Sequence, residues 1–476
     1  MLKTKFTLRL PYKALKLSNI ILKFLKLYVS SIYIRNFRRI SITIHIKTKT
    51  MNRRRFLEYF TAASAMSVVS LNRLNAEIYT GIDDLNYQYP QDSPDGKYWD
   101  ALRKHFLFED DYIMMNNGTL GPMPVPVYNE LIKYFKMQVT NPYDCYNYFP
   151  SLKNEVHQKL ADFIGASRDE VAINRNTTEG MNIIAGGTNL EEGDEVLISS
   201  LEHPGGYYPW KMREKRSGIK VIEVPVNSPP KNKEEIINAF RERINDKTKV
   251  ISVSHTVYIN GLIFPLKELS EMAHKNDILV AADSAHGFGM LNLNMHDLGI
   301  DLWASSPYKW SGAPTGCGIL FVSKKAQDRI WPVIASSGWD NMDSASRFET
   351  LGQRADPLVF ALNEAMNFQN RIGRDRIERR IKSLALYLKE GLSEIDGVRL
   401  HTSMDAEISA GLTAFSLKGV EPEHIVNYLL ERYNLVVRTI GRDRDNTRGV
   451  RVSTNIFVSK EHVDMVIEGV KHLASG

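Results

Sequence analysis

The chain has 476 residues, 43% hydrophobic and 24% charged, ordinary proportions for a globular protein with room for two or more domains. Its two cysteines, Cys145 and Cys317, exclude a disulfide framework, and no CxxC pair or Cys/His cluster offers a structural zinc site. The net charge of +6 belongs to one end. Residues 1–50 hold 12 Lys and Arg and no Asp, Glu or Gly, leaving 49 basic against 55 acidic side chains in the rest, which removes the support for nucleic-acid binding.

Residues 1–50 read as a basic extension unlike a folded domain, with translation expected to start at Met51. The stretch "NIILKFLKLYVSSIYI" is apolar but too interrupted for a transmembrane helix; a membrane-surface segment is the alternative. From Met51, "MNRRRFLEYFTAASAMSVVSLNRLNA" places Arg53 and Arg54 ahead of a weakly apolar run, with Ala76 near a plausible cleavage point. Residues 51–76 resemble a twin-arginine export signal. That resemblance implies the export machinery as a partner and a periplasmic location. The alternative is a basic amphipathic helix on a cytoplasmic protein.

Residues 77–115 form an arm that includes the turn-rich "YQYPQDSPDGKYWD". "YIMMNNGTLGPMPVPV" reads as a strand breaking into a Gly/Pro loop, and "SLKNEVHQKLADFIG" as a helix stopping at Gly165. Alternation follows: strands "VLISS" and "KVIEVPV", helix "NKEEIINAFRERIND", strand "KVISVSHTV", helix "LKELSEMAHKN", then strands "ILVAADSAH" and "GILFVS". This predicts an α/β domain over 116–335 with a mostly parallel sheet, whose ligands gather at the carboxyl ends of the strands. From Ser336 to 476 a long charged helix, short strands and two helices predict a smaller α+β domain.

The chemistry-bearing residues sit just past the apolar runs. "ILVAADSAHGFG" delivers Asp283 and His286, and "DLWASSPYKW" delivers Ser306 and Lys309. "VLISSLEHPGG" delivers His203, "VAINRNTTEGMN" delivers Thr177 and Thr178 at a helix start, and "GVRVSTNIF" delivers Arg451. Taken singly, each has an ordinary structural reading as a cap, a turn or a solvated charge. Together they supply what pyridoxal phosphate chemistry needs. These are a Schiff-base lysine, a carboxylate for the pyridine nitrogen, helix-terminal donors for the phosphate, a ring partner and an arginine for a carboxylate.

The run "AADSAHGFGMLNLNMHDLGIDLWASSPYKWSGAPTGCGILFV" resembles the signature of class V aminotransferases, within the fold-type I pyridoxal-phosphate enzymes. "NNGTLGP", "EHPGGYYPW" and "DSAHGFG" are most similar to the isopenicillin N epimerase-like branch. The resemblance, from Tyr112 to the C-terminus, implies a pyridoxal 5'-phosphate cofactor, a homodimer and a small amino-acid or amine substrate. By the same resemblance Lys309 carries the cofactor, Asp283 pairs with its ring nitrogen, and His286 meets the phenolic oxygen. His203 stacks on the ring, Thr177, Thr178 and Ser306 hold the phosphate, and Arg451 binds the substrate carboxylate.

Two positions depart from the family pattern. Tyr308 stands where histidine often precedes the lysine, and Gln353 follows Gly352 where Gly-Thr is usual, which puts cross-subunit phosphate binding in question. The loop "RTIGRDRDNTRG" lacks the nucleophilic cysteine of desulfurases, so desulfurase activity is not expected. The expected reaction begins with proton removal from Cα by Lys309 and leads to transamination or epimerisation. A lyase of the same family, or an inactive binding protein that keeps the fold, is the alternative. No GxGxxG follows a strand in the right place and no GxxxxGK[ST] exists, which argues against a nucleotide-binding oxidoreductase.

Overall fold

A computed structural model describes residues 82–88, 96–108, 112–441 and 447–475. The basic extension and the export signal expected at 1–50 and 51–76 lie outside the described residues. The strands in chain order are β1 (Ile113–Met114), β2 (Val171–Asn174), β3 (Glu195–Ser199), β4 (Lys220–Val224), β5 (Thr248–Ser254), β6 (Leu279–Ser284), β7 (Leu302–Ser305) and β8 (Gly318–Val322), followed by β9 (Val398–Leu400), β10 (Leu412–Leu417), β11 (Leu435–Val436), β12 (Arg438–Gly441) and β13 (Arg448–Ser453).

Seven strands form one sheet in the order β2-β8-β7-β6-β5-β3-β4. Only β8 runs against the others, so the carboxyl ends of six strands share one edge. The short apolar runs form strands because both faces of the sheet are covered. In β3, Val196 and Ile198 join one buried layer while Leu197 joins the other, the period-2 alternation of a strand. The sheet residues of β6 and β7 are buried throughout.

A second sheet, β12-β13-β10-β9, is antiparallel and comes from the C-terminal part of the chain. Its core includes Phe415, Val450 and Val452, and residues of the N-terminal arm join it: Ile82, Leu85, Tyr98, Leu102 and Phe106. The fold is therefore that of the fold-type I pyridoxal-phosphate enzymes, a mostly parallel sheet followed by a smaller antiparallel one.

One segment differs from its expected form. By composition "NPYDCYNYFP" reads as a loop, yet it forms the start of the helix Pro142–Ile164. Asn141 caps it by accepting from the Asp144 amide at 3.2 Å, with Pro142 in the first turn. Cys145, Phe149 and Leu152 recur at helical spacing and are buried, which outweighs the turn-like composition. No helix among the described residues is long and apolar enough to cross a membrane.

Candidate active site

Asp283 lies at the end of β6 and is 4% exposed. Its Oδ1 accepts from the Ala285 amide at 3.1 Å. Burial raises its pKa, against the lowering pull of that bond and of Lys309. The register of β6 on β7 sets Asp283 beside Ala304 and Ser284 beside Ser305. The next turn after β7, Pro307–Lys309, then brings the lysine to the same edge.

Two carbonyls of that turn rest on the "NNGTLGP" loop. The Gly121 amide donates to the Tyr308 carbonyl at 3.1 Å, and Asn117 Nδ2 donates to the Lys309 carbonyl at 3.2 Å. Lys309 Nζ lies 3.3 Å from His286 Nε2. Burial brings the lysine pKa down to about 8; Asp283 raises it, and the positive charges of Arg451 and Arg438 lower it further. About a tenth of the amine is therefore unprotonated at pH 7, far more than at the ordinary lysine value, as a nucleophile or base requires. The lysine is thus packed against His286, within the influence of Asp283, rather than a solvated loop charge.

His286 is buried, and its Nδ1 accepts from the indole nitrogen of Trp310 at 3.1 Å. Burial, then the positive charges of Lys309, Arg451 and His203, hold its pKa well below the ordinary value. His203 caps the helix Pro204–Ser217, its Nδ1 accepting from the Gly205 amide at 3.0 Å. Its ring stands edge-on to Tyr258, 4.7 Å between centroids.

Thr177 and Ser306 meet directly. Ser306 Oγ accepts from the Thr177 amide at 3.0 Å and lies 2.7 Å from Thr177 Oγ1. Thr178 is exposed, in the first turn of the helix Thr177–Gly187. Its Oγ1 lies 2.7 Å from where a side chain on Gly205 would begin. Two helix N-termini thus converge with hydroxyls between them, a geometry suited to an anion.

Arg451 comes from β13 and is 1% exposed. It donates to the Tyr258 carbonyl at 2.6 Å, to Asn116 Oδ1 at 3.0 Å and to Thr119 Oγ1 at 3.2 Å. Among the described residues no carboxylate pairs with it, and its Nε has no hydrogen-bond partner. Burial, with Arg438 acting in the same direction, brings its pKa down to about 9. A buried guanidinium held by neutral groups is available for a ligand carboxylate.

All eight residues singled out in the sequence lie on the sheet edge, on the helix N-termini beside it, or on β13. The structure adds residues the sequence did not mark. Glu202 is 2% exposed, accepts from the Ser254 amide and hydroxyl, both at 2.9 Å, and from Ser199 Oγ, and has its pKa pushed up to about 7 by burial. A side chain on Gly206 would begin 3.0 Å from Asp283 Oδ2 and 3.5 Å from Glu202 Oε2, so a larger residue there would press on the Asp283 carboxylate. Arg438 pairs in register with Arg451 and also donates to Thr119 Oγ1, at 3.1 Å. Burial of Glu202 and the pairing of Arg438 depend on tertiary contacts that leave no local signal. Only the adjacency of Glu202 to His203 was there to be noticed.

Residues 114–466 match the family described as Aminotransferase class-V. The chain belongs to this family. It is similar to a probable cysteine desulfurase of Halalkalibacterium halodurans, 26% identical over 384 residues that cover 75% of this chain and 92% of that one. It is equally similar to the isopenicillin N epimerase of Amycolatopsis lactamdurans, 26% identical over 396 residues, 79% of this chain and 98% of that one. Among solved structures, a cystine C–S lyase in complex with its product cysteine persulfide superposes with a TM-score of 0.70 at 23% identity, covering 76% of this chain and 98% of that one. The Escherichia coli cysteine desulfurase CsdA superposes with a TM-score of 0.69 at 21% identity, covering 78% and 97%. These identities speak to the fold.

Pyridoxal phosphate is the cofactor of this family, and a variant of the lyase carries glycine covalently linked to it. The residues present here fit that group. They offer an amine shifted toward its neutral form, a buried carboxylate on the sheet edge, a cradle of helix N-termini at Thr178 and Gly205, and the space that Gly206 leaves against Asp283.

Proposed function

We propose that the chain is a pyridoxal-phosphate enzyme acting at Cα of an amino acid or amine, with an aminotransferase- or epimerase-like outcome. The observation that carries this reading is the juxtaposition of Lys309, its amine beside His286, with buried Asp283 and a guanidinium, Arg451, that has no carboxylate partner among the described residues.

The cofactor supplies an electron sink for the pair left on Cα when its proton departs. Asp283 keeps the proton of the ring nitrogen in place. Lys309 would hold the group covalently and, with its amine free, would serve as the base that takes the Cα proton. Arg451 fixes the substrate carboxylate, which orients the bond to be broken. Thr177, Thr178 and Ser306, with the two helix N-termini, hold the phosphate. His203 would cover the ring and His286 would donate to its phenolic oxygen.

Lys309, or a second group, would then deliver a proton. Delivery by Lys309 away from Cα would lead to transamination, and delivery to the opposite face of Cα by a second group would give epimerisation. Loss of a β-substituent is the competing outcome of the same first step. A persulfide-forming desulfurase is disfavoured, because Cys145 and Cys317 are both buried and burial pushes the Cys317 thiol up to about 12.

Two further expectations belong to this reading. A homodimer is supported by the exposed apolar residues Val139, Tyr143 and Tyr146 at the junction of two successive helices, 75%, 77% and 70% exposed. Export with cofactor in place rests on Arg53 and Arg54 and on the small-residue run after them. The deciding experiment is borohydride reduction of the purified protein followed by peptide mass spectrometry, then α-proton exchange in D2O over a panel of amino acids. A pyridoxyl adduct on Lys309 with exchange supports the reading. An unmodified Lys309 in excess pyridoxal phosphate sinks it in favour of an inactive scaffold.

A further inference from the structure

Trp310 has no part in the chemistry above, yet its indole nitrogen is spent inside the site. It donates to His286 Nδ1 at 3.1 Å, while His286 Nε2 faces Lys309 Nζ at 3.3 Å. The three side chains form a line of contacts whose first member can only donate. The indole is held firmly. Trp310 is 2% exposed, and its carbonyl accepts from Gln369 Nε2, which also reaches the Gly289 carbonyl.

Donor logic then propagates along the line. Because the indole donates, His286 Nδ1 must present a lone pair. The neutral imidazole therefore carries its proton on Nε2. A proton on Nε2 aims at Lys309, so the lysine is met by a donor and is best matched as a free amine. A lysine ammonium would need a lone pair on Nε2. The ring would then carry its proton on Nδ1, setting N–H against the indole N–H in a buried place. The charged groups that bear on His286 are Lys309, Arg451 and His203, all of one sign, and none offers the ring a carboxylate. Asp283 and Arg438 act on the lysine end of the line.

We infer that Trp310 is a positioning residue that locks His286 in the Nε2–H tautomer and, through it, favours Lys309 as the unprotonated amine. This rests on the assignment of Lys309 as the cofactor lysine but makes a claim about the chain alone. The same lock leaves the Nε2 proton free to donate to an oxygen once Lys309 is engaged.

The first test is nitrogen NMR of the full chain, free of cofactor and labelled at histidine, with His286 assigned by its substitution. The Nε2–H tautomer should predominate from about pH 8 to about pH 10, the range in which the Lys309 amine has lost its proton. An Nδ1–H tautomer or an imidazolium in that window overturns the inference without any variant. The second test is Trp310→Phe, which keeps the ring's bulk and removes the donor. Freed to accept from the ammonium, His286 should let the midpoint for reductive methylation of Lys309 rise by about one pH unit, a roughly tenfold loss of free amine at a fixed pH below the midpoint. An unchanged midpoint in a variant of unchanged melting temperature means that Trp310 only packs. If the variant does not fold, the tautomer measurement stands by itself. Failure of Lys309 to take up pyridoxal phosphate while the tautomer is as stated would refute the proposed function and leave this inference intact.

Discussion

The sheet edge buries two carboxylates, Asp283 and Glu202, whereas the antiparallel sheet facing it buries a guanidinium, Arg451, with Arg438 opposite in register. The two sides resolve the cost of buried charge differently. On the sheet edge the carboxyl groups shift toward their protonated forms, Glu202 to about 7. Arg451 cannot follow that route to neutrality near physiological pH even at about 9. It is held by the neutral groups Asn116, Thr119 and the Tyr258 carbonyl. Burial biases the carboxyl side toward neutrality, while the guanidinium side stays charged. Lys309 lies between them and feels both: Asp283 raises its pKa and the two arginines lower it.

Breaking the sheet-edge side should have the larger effects. Lys309→Ala removes the covalent anchor and the base together. No pyridoxyl peptide should survive borohydride reduction, and turnover should vanish; a retained adduct elsewhere would move the site. Asp283→Asn keeps the shape but not the charge, and kcat should fall by about 10²–10³, the scale for losing one preorganised electrostatic partner. A change under about fivefold would remove Asp283 from the reaction.

Arg451→Gln tests the other side. If the guanidinium binds the substrate carboxylate, KM should rise by about 100-fold for amino acids and far less for amines that lack a carboxylate. Equal losses for both classes would make the residue structural. Smallest is the effect of Glu202→Gln. The folded protein binds the Glu202 proton more tightly than the unfolded chain does, so stability falls as pH rises from about 4.5 toward about 7. The variant should flatten that part of the melting-temperature profile. An identical slope in both proteins would show that Glu202 is ionised throughout. A further sharpening is kinetic: capture of pyridoxal phosphate should accelerate as pH rises through about 8, where the Lys309 amine deprotonates.

How much of this was legible varies with how local its cause is. The buried strands β3, β5, β6 and β8 showed in their apolar runs, and the helix Pro142–Ile164 showed its C-terminus at Gly165 in the left-handed conformation. Its N-terminal half was misread because tyrosines and a proline imitate loop composition. Asp283, His286 and Lys309 were legible because strand ends in a parallel sheet gather on one edge. Glu202, Trp310 and Arg438 were not. The first depends on hydroxyls of Ser199 and Ser254 from two different strands. The second depends on an imidazole 24 residues earlier in the chain, and the third on the pairing of β12 with β13.

By itself the sequence determined which segments alternate as strands and helices, and which polar residues follow the strands. Hydrophobic periodicity and turn chemistry are local properties, readable over a few residues. It also determined that the segment from Arg438 to Gly449 lacks a cysteine. Only the tertiary structure decided protonation. The lowered lysine, the raised Glu202 and the tautomer of His286 follow from burial and from partners far apart in the chain. Electrostatic energy depends on distance and solvent exclusion, and neither exists until the two sheets close around the site.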